Sequence, residues 1–214
     1  MEKYFSWIGV DESGKGDYFG YLIIAGVVID REKENELRKL NVRDSKKISD
    51  ERIKKISKTI KSLLPFNVVR ISPPKYNELY EKLKNINRIL AWGHARVVEN
   101  LLEKYNVDLI IFDKFSPKDY IERSIMKKGK NVDRVEIVRG ERDIGVAAAS
   151  IIARGEFLST LEKLEKKWNF HFPKGAGSIV DKQGVEFVKK FGLESLKEVA
   201  KYHFKNTEKI VKFI

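Results

Sequence analysis

Two adjacent acids, Asp11 and Glu12, stand in the stretch IGVDESGKGDYFG, followed at once by Ser13 and by Gly14 and Gly16 bracketing Lys15. Adjacent carboxylates at the end of an apolar segment are costly unless a cation neutralises them, so the pattern points to metal-assisted chemistry on a phosphate. Further along, Asp113 closes the apolar run LIIFD, and Glu141 and Asp143 lie in RGERDIG, just ahead of the small-residue run VAAAS. Acids that end neighbouring strands project from the same sheet edge. A carboxylate ahead of a helix is favoured by the helix dipole, so one of Glu141 and Asp143 is expected to be a ligand and the other a cap. Four carboxylates around two divalent ions about 4 Å apart would let one ion activate water and the other stabilise the leaving oxygen of an in-line displacement.

A competing reading is a nucleotide-binding loop, because Gly9 to Lys15 satisfies G-x-x-x-x-G-K after a strand. It fails on two counts. Gly16 stands where a Ser or Thr should hold magnesium, and Asp11 and Glu12 would lie inside a loop that has to cradle anionic phosphates. Gly14 and Gly16 instead suit a platform whose peptide N–H groups approach a sugar or phosphate without an intervening side chain, with Lys15 supplying charge. The three histidines, His94, His171 and His203, are scattered and read as packing or surface residues. With no cysteine in the chain, zinc–thiolate sites, disulfides and thiol nucleophiles are excluded, and any metal must be held mainly by oxygen.

The elements that must position these residues follow from periodicity. Tyr4 to Val10 is aromatic and β-branched and reads as a strand delivering Asp11 and Glu12 to the edge of the core. Tyr18 to Ile29 is apolar enough for one or two strands, with bends expected at Gly20 and Gly26. Glu32 to Leu40 and Asp50 to Leu64 read as surface helices, the second capped by Ser49 or Asp50. A strand over Phe66 to Ile71, a helix opening at Pro73-Pro74 and a longer helix over Ile89 to Leu102 follow. Asp108 to Asp113 and Arg134 to Val138 read as strands, and Ile144 to Trp168 as a helix whose small residues let it lie close to a sheet. Beyond the PKGAG segment, two or three short helices are expected. The order implies an α/β fold with a mixed sheet flanked by helices and a helical, basic C-terminal extension over about residues 178–214.

The chain has 214 residues, 42% of them apolar, enough to bury about 70% of the unfolded surface in a single domain. Its 43 Lys and Arg against 31 Asp and Glu give a formal charge of +12, which favours a polyanionic partner, although a Lys- and Glu-rich surface of the thermophile kind would also fit. No targeting segment is evident and no apolar run approaches the ~20 residues needed to cross a bilayer, so a cytoplasmic protein without membrane contact is expected.

These motifs together resemble the type 2 ribonuclease H family, and more closely its ribonuclease HIII branch. DESGKGDYFG at 11–20 is similar to that branch's signature, where ribonuclease HII proteins typically carry arginine between the glycines and alanine in place of Ser13. Asp44-Ser45-Lys46-Lys47, NINRILAWGH at 85–94, IIFDKF around Asp113, VAAASIIAR at 146–154, PKGA at 173–176 and HFKNT at 203–207 extend the resemblance along almost the whole chain. It implies a ribonuclease H-like fold and endonucleolytic cleavage of the RNA strand of RNA–DNA hybrids with Mg2+ or Mn2+, leaving 5′-phosphate and 3′-hydroxyl ends. The alternatives are ribonuclease HII-like cutting at single ribonucleotides embedded in DNA and, more distantly, a non-catalytic nucleic-acid-binding module.

Residue by residue, the resemblance assigns Asp11, Glu12 and Asp113 as the first three catalytic, metal-binding carboxylates and Glu141 as the fourth, with Asp143 the alternative. It assigns Gly14, Lys15 and Gly16, assisted by Ser13, to the loop that contacts the scissile-side ribose, whose 2′-hydroxyl distinguishes RNA from DNA. Lys46 and Asn85 fall in segments near the substrate, and Lys174 is a candidate phosphate contact. Many ribonuclease HIII proteins carry a substrate-binding domain before the signature, whereas here ten residues precede it. A monomer that grips its hybrid with its own basic surface, in a salt-sensitive way, is therefore expected.

Overall fold

The computed structural model describes residues 4–39, 42, 48–116 and 119–214. Two compact units emerge from the backbone. The first comprises Met1–Glu12, Ile23–Val69 and Asn85–Glu156, and the second Ser13–Leu22, Arg70–Lys84 and Phe157–Ile214.

A mixed five-stranded sheet organises the first unit: β1 (Ser6–Ser13), β2 (Leu22–Asp30), β3 (Phe66–Ile71), β4 (Leu109–Asp113) and β5 (Asp133–Ile137), in the order β3-β2-β1-β4-β5. The central strands are apolar on both faces, as a sheet covered on both sides requires: Ile8, Val10, Ile23, Ile24, Ile110, Ile111 and Phe112 are inaccessible to solvent. β1 and β4 run parallel in the register Trp7↔Leu109 to Val10↔Phe112, and β4 runs parallel to β5 from Leu109↔Asp133 to Asp113↔Ile137.

Helices alternate with the strands along the chain. The elements α1 (Arg31–Lys39) and α2 (Asp50–Leu63) follow β2, α3 (Pro73–Leu83) and α4 (Ile86–Leu102) follow β3, α5 (Tyr120–Ser124) follows β4, and α6 (Ile144–Trp168) follows β5 through a 3₁₀ turn at Gly140–Arg142. Glycines set the closest approaches. A Cβ at Gly9 of β1 would lie 2.2 Å from the Gly145 carbonyl carbon in α6, and one at Gly93 of α4 would lie 2.7 Å from Ile24 Cδ1 of β2. Gly9 and Ile24 thus mark opposite faces, α6 on one and α4 on the other. The outer side of α6 meets α2, where Gly155 lies against Ser57 and Arg154 pairs with Asp50 at 3.1 Å.

The second unit is built from α3 together with α7 (Ser178–Phe191), α8 (Leu196–Val199) and α9 (Lys205–Lys212). An aromatic cluster of Phe19, Trp168, Phe170, Phe172, Phe187 and Phe191, with neighbouring ring centroids 4.9–6.1 Å apart, forms its core. Gly184 admits Ile210 of α9 against α7, since a Cβ there would sit 2.2 Å from Ile210 Cδ1.

Three sequence expectations change. The first strand runs on to Ser13, because Asp11 and Glu12 belong to the ladder and are not beyond its end. Gly26 is no bend: it lies inside β2, and its missing side chain makes room for Val97 of α4. Among the described residues one helix, α6, is long and apolar enough to cross a bilayer, a property its sequence conceals because Ser150, Arg154 and Glu156 break its apolar runs; 78% of its most apolar window is buried inside the fold. The small residues that allow this burial leave no slack at the crossing of α6 with β1. Gly9→Ala is therefore expected to destabilise the protein by roughly 2–3 kcal/mol, the upper range for overpacking, because both neighbours at the contact are backbone. A thermal melt checks this, with a fall of about 4–12 °C expected for a chain of this size.

Candidate active site

Strand geometry decides where the first two acids go. Successive side chains of a strand face opposite ways, so Asp11 and Glu12 cannot share a face. Asp11 shares its face with Gly9 and is hydrogen-bonded to Ser150 of α6, while its Oδ1 accepts the Glu12 N–H at 2.7 Å. Glu12 points to the other helix, its Oε2 lying 3.1 Å from His94 Nε2 of α4. Each acid is thus steadied by the helix that covers its own side.

The third acid comes from the neighbouring strand. Asp113 is one step beyond the Val10↔Phe112 pair, which places it beside Asp11. Its Oδ1 accepts the Gly140 N–H at 2.7 Å, and a Cβ at Gly140 would lie 2.8 Å from that oxygen, so this link from β5 to α6 requires glycine. The crowding shows in the protonation balance of Asp11. Burial, then the charge of Glu12, and more weakly that of Asp113, hold its carboxyl well above the usual carboxylate range against the hydrogen bonds from Ser150 and the Glu12 amide.

Glu141 and Asp143 part company. Asp143 is buried, and its Oδ1 accepts the Val146 N–H at 2.9 Å and the Trp7 indole N–H at 3.2 Å, so it caps α6. Burial raises its pKa, and those same bonds oppose the rise. Glu141 sits in the 3₁₀ turn immediately after Gly140, the residue that holds Asp113.

Oxygen donors from β1, β4 and the turn before α6 are the groups able to hold a divalent cation. Among the described residues no three His or acidic side chains close into a finished cage. Each acid is met by a protein donor, Asp11 by Ser150, Glu12 by His94 and Asp113 by the Gly140 N–H. The repulsion that lifts the Asp11 carboxyl is the kind a bound cation relieves, so the donor set fits a hard divalent ion.

The glycine–lysine segment belongs to the second unit. Gly14 has φ +87°, and a Cβ there would lie 2.2 Å from the Tyr21 carbonyl oxygen, whereas nothing lies within 4 Å of a Cβ built at Gly16. The first glycine is a folding requirement, and the second keeps the loop's outer side open. The loop is anchored from behind. Tyr18 N–H donates to the Gly175 carbonyl at 2.9 Å, Gly175 N–H donates to Asp17 Oδ1 at 2.6 Å, and the fully buried Lys201 Nζ donates to the Asp17 and Gly20 carbonyls at 2.7 and 2.8 Å. The Asp17–Gly175 bond ties the segment that carries the exposed Lys174 to the residue that follows Gly16.

Of the other expected substrate residues, Asn85 is spent on structure: its carbonyl caps α4 through the Asn87 N–H at 2.8 Å and its amide donates to the Tyr120 hydroxyl at 3.0 Å. Lys46 lies outside the described residues. Sequence reasoning missed Ser150 and Lys201 altogether and treated His94 as a packing residue. The first hid in a run of small residues, and Lys201 looked like one more surface lysine. Of the other two histidines, His171 is exposed beside Glu165 and His203 stacks on Tyr80 at 3.8 Å, in keeping with surface and packing roles.

A sheet of this order carrying acids at the ends of β1 and β4 defines a hydrolase of the ribonuclease H type. The family model described as Ribonuclease HII matches residues 8–207. The chain is 42% identical over 204 residues to Ribonuclease HIII of Protochlamydia amoebophila, covering 95% of this chain and 68% of that protein, and 41% identical over 206 residues to Ribonuclease HIII of Chlamydia pneumoniae, covering 95% and 69%. The crystal structure of Bst-RNase HIII in complex with Mn2+ superposes with a TM-score of 0.91 at 33% identity, over 98% of this chain and 70% of that one. The chain belongs to the type 2 ribonuclease H family, with its similarity running to ribonuclease HIII, and it is a ribonuclease H endonuclease.

Asp143→Ala should cost about 1–2 kcal/mol through loss of the α6 cap, with a further loss from the unpaired Trp7 indole, whereas Glu141→Gln should abolish cleavage in a protein that still folds. Paired melts and activity assays check this; the reverse pattern would make Asp143 the fourth ligand. Burial pushes the Lys201 ammonium down to about 7 against the opposing charge of Asp17. Between about pH 7 and the ordinary lysine range the unfolded chain holds this proton and the folded chain does not, so the group makes stability rise with pH. Wild type should therefore gain on Lys201→Met in paired melts as pH goes from 7 to 10. A constant or narrowing gap would contradict the assignment.

Proposed function

We propose that this chain hydrolyses the RNA strand of RNA–DNA hybrids in a two-metal reaction with Mg2+ or Mn2+, leaving 5′-phosphate and 3′-hydroxyl ends. The observation that carries the reading is the parallel β1–β4 register, which sets Asp113 beside Asp11 at the point where the Asp11 carboxyl is already crowded by Glu12. The Mn2+ complex of the ribonuclease HIII structure supports the choice of ion.

In this reading Asp11, Glu12, Asp113 and Glu141 hold the divalent ions, which when bound supply an activated water and charge stabilisation for the departing 3′-oxygen. Ser150 and the Gly140 N–H orient Asp11 and Asp113, so that the carboxylates need little rearrangement when substrate arrives. Lys15 and the peptide groups of Gly14 and Gly16, with Ser13, read the ribose, the open side of Gly16 giving the sugar access to the backbone. Lys174 supplies a phosphate contact, and the +12 charge of the chain draws in the polyanionic duplex. The match to a family model described as Ribonuclease HII favours a second reading, cutting at single ribonucleotides embedded in DNA.

Asp113→Asn should lower the cleavage rate at least about 100-fold, equivalent to about 2.7 kcal/mol of barrier, while hybrid affinity at low salt stays within about threefold. Labelled hybrid and a duplex carrying one ribonucleotide, incubated with Mg2+ or Mn2+ and after chelation, provide the assay. Cleavage of the hybrid alone supports the first reading and cleavage of both substrates the second. Undiminished activity in the Asp113 variant or in chelator would overturn the metal-dependent mechanism.

A further inference from the structure

His94 is fully buried in α4, with Phe112 and Phe115 packed around it at ring-centroid distances of 6.0 and 5.2 Å. Its Nε2 lies 3.1 Å from Glu12 Oε2, and its Nδ1 has no hydrogen-bond partner among the described residues. A buried N–H left unmet is rarer and costlier than a lone pair left unmet, so the imidazole proton belongs on Nε2, donated to the carboxylate. The reach is built into the packing: Gly93, next in the chain, lets α4 lie so close to β2 that a Cβ there would be 2.7 Å from Ile24 Cδ1. A larger residue at 93 would lift His94 away from Glu12.

We propose that His94 is a positioning residue for metal binding: its Nε2–H holds the Glu12 carboxylate in the orientation from which that carboxylate binds a divalent ion. On the opposite face of the sheet Ser150 holds Asp11 in the same way. Without these two supports, adjacent acids on one strand would be free to splay apart under their mutual repulsion, and the ion would have to hold them both. A donor from outside the metal's own ligand set orients a carboxylate without competing for the cation, and loss of such a group typically lowers metal affinity 10–100-fold. The inference rests on the reading of Glu12 as a metal ligand.

The test is calorimetric titration of Mn2+ into wild type, His94→Leu and His94→Gln, with thermal melts of each protein in the absence of metal. Leucine fills the cavity without a donor, and glutamine offers an amide N–H on the same side. His94→Leu should weaken Mn2+ binding by about 10–100-fold, and His94→Gln should bind within about threefold of wild type, whatever both changes do to the melting temperature. Unchanged Mn2+ affinity in a folded His94→Leu protein, or equal loss in both variants, would overturn the proposal and leave His94 a packing residue. Should the leucine variant not fold, the glutamine variant decides alone: affinity near wild type supports the role, and a tenfold loss contradicts it. Failure of the underlying reading would look different, since wild type and Glu12→Gln would then take up Mn2+ equally.

Discussion

Parallel pairing of β1 with β4 is the constraint on which the rest of the first unit depends. It brings two strand ends together and with them Asp11 and Asp113, while the chain itself supplies Glu12 next door. Such a concentration of negative charge opposes folding unless each acid finds a donor, and the surrounding helices are arranged to provide them. The close contact of α6 at Gly9 presents Ser150 to Asp11, that of α4 at Gly93 presents His94 to Glu12, and the glycine turn after β5 presents its N–H to Asp113. Glycines at 9, 93 and 140 are therefore as much a part of the site as the acids. The result is a set of carboxylates held at a sheet edge in a state that a divalent cation would relieve.

Much of this was legible in the residues. The acids at 11, 12 and 113, the strands that carry them, and the helix that follows 141–143 follow from apolar runs ending on acids, which is a local pattern. Which of Glu141 and Asp143 caps α6 turns on Trp7, 136 residues away, whose indole N–H joins the Val146 amide in claiming Asp143. Long range also made the supports illegible. A buried histidine on an amphipathic helix looks the same whether it faces packing or a carboxylate, and only the phase of α4 against the sheet separates the two. Gly26 misled because glycine in a strand marks a bend or a close approach equally well, and here the approach of Val97 decides it.

The second unit shows a different economy. Its loop from Ser13 to Gly20 carries little regular structure, yet the Asp17 and Gly20 carbonyls meet a buried ammonium, the Tyr18 peptide pairs with Gly175 and Ala200 flanks Phe19 in an isolated bridge. Those anchors all come from the last third of the chain. The helical C-terminal region therefore contributes more than positive charge, since it sets the path of the Ser13–Gly20 segment. Burying a lysine whose Nζ is met by two backbone carbonyls is a cost tolerated only where the fold needs the carbonyls it satisfies.

Asp11, Glu12 and Asp113, each held by a protein donor, are proposed to converge on divalent ions. Anomalous diffraction from crystals of the protein grown with Mn2+ tests this most directly. The account predicts Mn2+ with oxygen ligands from all three carboxylates at about 2.1–2.2 Å, with Glu141 close by. Mn2+ bound elsewhere on the chain, with none of those three acids among its ligands, would contradict it.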